Sequence, residues 1–198
     1  MNKQVLNFKN QIILLACMFA LYSCESIKDQ ITVDIPFDSF SIQLDDIIVG
    51  DDGGTKSAIV RLTDGLNPFY AEQNLAMGML KDVPADLEKY QSKIVKVKVG
   101  SSTSILVTAE NGTKVKNFQV KVAGSDIKFS VEDYDFNTEY SDGVGAFIEQ
   151  ILTELVVKNH EVPLIISGET DADNETKLTV TLTVRDGSFT AEALEGWI

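Results

Sequence analysis

Apolar and polar residues alternate with a period of two along most of the chain. At residues 39–44, Phe40, Ile42 and Leu44 fall on one side and Ser39, Ser41 and Gln43 on the other, the signature of a strand with one buried face. Asp45 and Asp46 interrupt that pattern before Ile47 to Val49 resume it, and residues 50–54 (GDDGG) read as a turn. Residues 57–62 read as a second strand, with Ala58, Val60 and Leu62 in step. Asn67-Pro68 then has the form of a helix start, asparagine as N-cap and proline at the first helical position, with Phe69, Ala76, Met79 and Leu80 at roughly helical spacing. A second short helix is predicted over residues 84–92, where Leu87 and Tyr90 share a face.

From residue 94 the period of two returns. Val95, Val97 and Val99 alternate with Lys96 and Lys98, and Ile105, Val107 and Ala109 follow a turn at residues 100–102. Asn111-Gly112 lies between two alternating runs, a strong signal for a two-residue hairpin. Phe118, Val120 and Val122 line the returning strand, and Gly124-Ser125 turns the chain into Ile127, Phe129 and Val131. These reversals predict an antiparallel meander. The parity then changes from odd to even at Tyr134 and Phe136, which predicts a bulge near Glu132-Asp133.

The clearest helical stripe is Val144, Phe147, Ile148, Ile151, Leu152, Leu155 and Val156, suited to docking on a sheet. Asp142 is placed to cap its start, and Lys158, Asn159 and His160 its end. Strands follow at residues 162–167 and 177–185, then a hairpin at Asp186-Gly187 and a last strand through Phe189, Ala191 and Ala193. The expected fold is mainly β (α+β): an antiparallel β-sandwich or curled sheet, one long amphipathic helix near 144–158, and one or two short helices within about 68–91.

The N-terminus follows a different pattern. Lys3 and Lys9 precede an uncharged run from residue 12 to residue 21, which ends in Leu21-Tyr22-Ser23-Cys24. The run is about half of the roughly 20 apolar residues that a spanning helix needs, so it reads as a secretory signal. Leu21, Ser23 and Cys24 resemble the lipobox of bacterial lipoproteins, with Tyr22 at a position that is usually small. That resemblance implies cleavage between Ser23 and Cys24 and lipidation of Cys24. Glu25, rather than aspartate, follows the cysteine, which favours the outer over the inner membrane. An ordinary signal cut near Ser23 is the alternative, leaving Cys24 a free thiol. The chain thus divides into a signal peptide (1–23), a lipidated N-terminus and tether (24–35) and one β-rich domain (36–198). That domain is loosely similar to small lipoproteins with immunoglobulin-like or related β-domains, a likeness that carries no activity.

Charge and cysteines narrow the setting. The formal charge is −13, and loss of the two leader lysines makes the mature chain −15. So acidic a domain repels nucleic acid and has no electrostatic reason to adsorb to an anionic bilayer, so membrane attachment falls to the lipid. Cys17 leaves with the signal, so no disulfide forms within the mature chain and the core is held by packing. Residues 93–121 depart from this balance, with six lysines (Lys93, Lys96, Lys98, Lys114, Lys116, Lys121) against Glu110. A meander with Lys96, Lys98, Lys114, Lys116 and Lys121 on one face would offer a patch to an anionic partner. Used singly, the same lysines protect strand edges from pairing.

Catalytic chemistry is sparse. His160 is the one histidine, at a helix end, and no cysteine–histidine cluster suits zinc. Ser125 and Lys128 match S-x-x-K by letters but begin a strand, without the companion motifs. Asp171-Ala172-Asp173-Asn174-Glu175 starts like a calcium loop, yet Thr176 stands where glycine is required and Leu182 where a bidentate glutamate belongs. A weak irregular calcium site there or at Asp51-Asp52 is the residual alternative. Glu132, Asp133, Asp135, Glu139 and Asp142 crowd a stretch with Tyr134, Phe136 and Tyr140, as carboxylates and aromatics do in sugar-binding or glycosidase clefts. The plain alternative is a solvated edge with its aromatics turned inward.

Taken together, the sequence predicts a monomeric, lipid-anchored envelope protein without cofactor or metal. It is expected to be non-enzymatic and to bind a glycan or protein partner. Two alternatives are a carrier of a small apolar ligand held between the long helix and the sheet, and a hydrolase using carboxylates of residues 132–142.

Overall fold

The computed structural model describes residues 32–50 and 65–193. The signal segment with Ser23 and Cys24, the tether to residue 31, Asp51-Asp52 and the strand expected at 57–62 lie outside the described residues. Along the chain run β1 (Thr32–Ile48), β2 (Asn67–Leu75), β3 (Leu80–Lys81), α1 (Ala85–Tyr90), β4 (Ile94–Lys98), β5 (Ser104–Ala109), β6 (Lys114–Val122), β7 (Lys128–Asp135), α2 (Val144–Leu152), β8 (Val162–Thr170) and β9 (Lys177–Glu192). They form two antiparallel sheets around one apolar core, a β-sandwich. One sheet has the order β3-β1-β9-β4, with β5 also on β9; the other has the order β2-β8-β6-β7.

β9 is the spine of the first sheet. One edge pairs with β1 from Thr32↔Glu192 to Ile48↔Lys177. The other edge serves β5 (Ser104↔Thr183 to Ala109↔Leu178) and then β4 (Ile94↔Ala191 to Lys98↔Ser188). The expected hairpin at Asp186-Gly187 is therefore a kink inside one long strand, where the edge partner changes. Asp186 takes φ +52 there, and the Gly100 N–H donates to the Arg185 carbonyl at 2.8 Å. A β-carbon on Gly187 would lie 2.3 Å from both the Lys98 carbonyl oxygen and the Phe37 ring, so the strands meet only over a glycine. An aspartate–glycine pair looks the same in a turn and in a kink. What decides is that β1 offers ladder partners on both sides of it.

The meander is corrected in the same way. β4 and β5 belong to the first sheet and β6 and β7 to the second, so Asn111-Gly112 carries the chain across the sandwich rather than through a hairpin. Gly112 has φ +88, and a β-carbon there would lie 2.8 Å from that of Ala172. The Asn111 Oδ1 accepts from the Asp173 N–H (3.0 Å) and the Thr176 hydroxyl (3.1 Å), pinning residues 171–176 against the crossing. Gly124-Ser125 does make a hairpin, between β6 and β7.

Three local expectations also change. Residues 67–75 are strand, not helix: Phe69 and Leu75 are buried and Ala71 and Gln73 partly so, and β2 pairs with β8 from Asn67↔Thr170 to Leu75↔Val162. Burial at period two outweighed the local N-cap signal. Of the two short helices, the second forms, as α1, with Leu87 and Tyr90 buried. In β4 a register shift between Ile94 and Lys96 turns Ile94 and Val97 inward and leaves Val95 45% exposed. The parity change of β7 is real, but β6 and β7 stay in register throughout. The shift lies on β6 against β8, between Lys116 and Gln119, with Asn117 at φ +50.

The long helix forms where its stripe predicts it. All seven stripe residues are at most 4% exposed. α2 ends in a π-turn (Thr153–Val157), where the Lys158 N–H reaches the Thr153 carbonyl five residues back. Asp142 does not cap the helix; Gly143, at φ +72, holds the N-cap position without a side-chain bond. At the other end Asn159 takes φ +54 and the His160 N–H donates to the Glu154 carbonyl, so His160 closes the helix through its backbone while its side chain is exposed. α2 approaches β4 and β5 of one sheet and β7 of the other, with the Phe147 and Phe129 rings 6.0 Å apart. It thereby fills the open side of the sandwich between those strands. Among the described residues no helix is long and apolar enough to cross a membrane.

Candidate functional site

On the opposite side of the sandwich, where β1 passes β2, the described residues leave the surface indented. A groove of about 500 Å³ opens there, lined by Gln43, Asp45, Asp46 and Ile48 from β1, Tyr70 to Gln73 from β2, and Met79. Its shape follows from a break in β1. The ladder to β9 shifts between Leu44 and Ile47, and Asp46 adopts φ +59. A bulge of this kind re-aims side chains, here the Asp45-Asp46 pair, while Leu44 and Ile47 on either side stay fully buried.

The lining is held in place by its own hydrogen bonds. The Asp45 Oδ1 accepts from the Gln43 amide and the Thr179 hydroxyl, both at 2.9 Å. The Gln73 amide donates to the Asp45 carbonyl, tying β2 to the bulge across the seam. Lys81 donates to the Gln43 Oε1 at 2.7 Å, and Lys177 pairs with Asp46 at 3.3 Å. Tyr70 donates its hydroxyl to Glu72, two residues on and on the same strand face. That bond, with lesser help from burial and the Glu72 charge, raises the Tyr70 pKa above its ordinary value. Carboxylates, carboxamides and a fixed aromatic ring thus surround a rim with apolar Ile48 and Met79. The set accepts and donates several hydrogen bonds and offers one flat face.

A second depression of about 230 Å³ shares Glu72 and Gln73 with the first and continues past Asn74 to Ala123, Pro163, Leu164 and Ile165. The two adjoin at Glu72 and Gln73, a trough in two parts along β2. The sequence reading missed Tyr70, Glu72 and Gln73, because the helix-start signal at Asn67-Pro68 hid their alternation. The bulge did leave a trace, the acidic pair in the middle of an apolar strand.

The structure divides the lysines of residues 93–121. Lys96 and Lys98 stand on β4, opposite Thr190 and Ser188 of β9. Lys114, Lys116 and Lys121 stand on β6 in the other sheet, opposite Asp135, Asp133 and Lys128 of β7, and Lys116 is also opposite Glu169 of β8. The five are not brought together on one face, and carboxylates are interleaved with two of the three on β6. Lys114, Lys116, Asp133, Tyr134 and Asp135 line a shallow hollow of about 450 Å³.

Residues 132–142 are similarly dispersed. Asp133 and Asp135 stand side by side on one strand rather than facing across a cleft. Glu139 is clamped by Arg185, with Oε1 at 2.8 Å and Oε2 at 3.0 Å, and by the Ser104 hydroxyl at 3.1 Å. The Arg185 bonds hold its carboxyl below the usual range, against a smaller opposing effect of burial. Tyr134 and Phe136 are buried and Tyr140 packs on the core, Tyr134 giving its hydroxyl to the Thr138 carbonyl and receiving the Val107 N–H at 3.1 Å. Asp171 accepts from the Thr113 N–H and hydroxyl and the Lys114 N–H at 2.7–2.9 Å, so it fastens the chain crossing. Burial raises its pKa, but those bonds outweigh burial and leave it lowered. The Ser125 hydroxyl accepts the Ile127 N–H at 3.2 Å, a turn contact. Among the described residues no group of three or more potential metal ligands assembles.

In comparison with known proteins, no family, no curated protein and no solved structure matches the chain.

Proposed function

We propose that this protein is anchored by a lipid on Cys24 to the bacterial envelope, at the outer rather than the inner membrane, and that its β-sandwich binds a glycan without transforming it. The groove at the β1–β2 seam carries this reading. Sugar rings present many hydroxyl groups beside weakly apolar C–H faces. Carboxylates and carboxamides match the former, and a fixed tyrosine ring with Ile48 and Met79 matches the latter. The lining bonds pre-organise these groups, which reduces the ordering cost of binding. The long helix does not favour an apolar carrier, since its stripe is packed into the core and supplies none of the groove lining.

The test is made in intact cells with the full chain. Cys24→Ser is expected to move the protein from the membrane to the soluble fraction, and mass analysis of the native N-terminal peptide should show acyl groups on Cys24. Capture on the anchored protein should retain envelope or extracellular polysaccharide. Unchanged fractionation of the variant overturns the anchor. Retention of a protein partner that survives complete deglycosylation overturns the glycan reading.

A further inference from the structure

We infer that the trough across β2 reads an extended, uncharged oligosaccharide, with Tyr70 as the stacking platform and Asn74 as a contact of a more distant subsite. This rests on the glycan reading above and adds the ligand class and its length.

Length follows from the adjacency of the two depressions. They share Glu72 and Gln73 as common lining and so lie side by side, close enough for successive units of one ligand to occupy both. Tyr70, Glu72 and Asn74 sit at alternate positions of β2 and therefore on one face, about 7 Å apart along the strand. Such a row suits successive units of a chain better than a single ring.

Charge follows from the lining. Asp45, Asp46 and Glu72 are the charged residues lining the first depression, and Glu72 the second, so an acidic sugar meets a net like charge, offset in part by Lys177 on Asp46 and Lys81 on Gln43. These carboxylates are already engaged by Thr179, Lys177 and Tyr70 respectively, which spends part of their attraction for cations. What is offered is oriented acceptors for hydroxyl donors. The Tyr70–Glu72 bond fixes the ring, so stacking costs little side-chain freedom.

The experiment is calorimetric titration of the full-length protein in detergent micelles. The probes are neutral gluco-, manno-, galacto-, xylo- and N-acetylated oligosaccharides of one to six units, galacturonate oligomers of the same lengths, and hexalysine. At least one neutral series should gain about tenfold or more in affinity from one unit to the longest, and galacturonates should bind at least about tenfold more weakly. Tyr70→Ala should weaken every length, while Asn74→Ala should weaken only the longer oligomers. Tyr70→Phe keeps the ring and should retain most of the affinity, which separates a lost platform from a lost fold; thermal melts of each variant check the latter. Affinity independent of length, equal losses at all lengths in Asn74→Ala, or stronger binding of galacturonate or hexalysine overturns the inference while leaving glycan capture by cells intact. No binding by any neutral series also overturns it.

Discussion

The sandwich has two seams, and they are finished in opposite ways. On the β4/β5–β7 side the chain inserts a helix whose apolar stripe is almost wholly excluded from water. On the β1–β2 side it inserts a bulge, two aspartates and a tyrosine, and leaves a trough. Both seams expose the same problem, the rim of a two-layer core. The first is solved by burying apolar area, the second by satisfying polar groups among themselves at the surface. A seam filled with side chains stabilises; a seam lined with oriented polar groups is available to something else.

Substitutions should separate the two seams. Leu152→Ala in the filled seam should cost about 2–5 kcal/mol, through lost transfer energy and the cavity left behind. Urea unfolding measures it, and a loss below about 1 kcal/mol would mean that the helix is not core. Gly187→Ala acts between the seams, on the spine itself. Its β-carbon meets the Lys98 carbonyl and the Phe37 ring, and a loss of about 1–3 kcal/mol is expected, with a lower melting temperature.

Smaller effects are expected at the surface. Glu139→Gln removes the carboxylate that grips Arg185. The pair is half exposed, so the loss at neutral pH should stay under about 1 kcal/mol. Its sign with pH is fixed: the folded carboxyl titrates below its unfolded value near 4.3, so the contribution is full above that value and disappears as pH falls through the folded one. Wild type and variant should therefore converge as melts are taken to progressively lower pH, and a difference that persists in acid would point to packing rather than charge. Last, Glu72→Gln in the open seam should change stability by no more than about 0.5 kcal/mol. It should also bring the Tyr70 phenol back toward its ordinary value near 10 in an ultraviolet titration. A large stability loss there would make the trough a structural element after all.

The same contrast governs what could be read from the chain. The helix stripe, the burial of Phe40, Ile42 and Leu44, and the alternation at Leu178 to Val184 each repeat with one period over several turns or pairs, and packing reinforced what the pattern said. The errors fell where a local signal had two structural meanings. Asn67-Pro68 begins helices and strands alike. Asn111-Gly112 and Asp186-Gly187 serve in hairpins, but also where a chain crosses between layers or bends within one. Only long-range pairing with β8, β1 or β4 decides among these, and no window of sequence contains it. The candidate site was hardest to see because it combines a misread strand with a bulge. Polar residues facing a trough carry no periodic mark that distinguishes them from polar residues facing bulk water.

One consequence of the strand order concerns the timing of folding. β1 finds its full-length partner only in β9, the last strand described, and β4 and β5 depend on the same strand. A polypeptide emerging with its N-terminus first can pair β1 early only with the two residues of β3, and the β9 edges of β1, β4 and β5 wait until most of its length has been delivered. Such non-local closure is slow. In the interval β1 presents a long bare ladder edge, so the nascent protein should depend on a holding chaperone until residues 177–192 arrive.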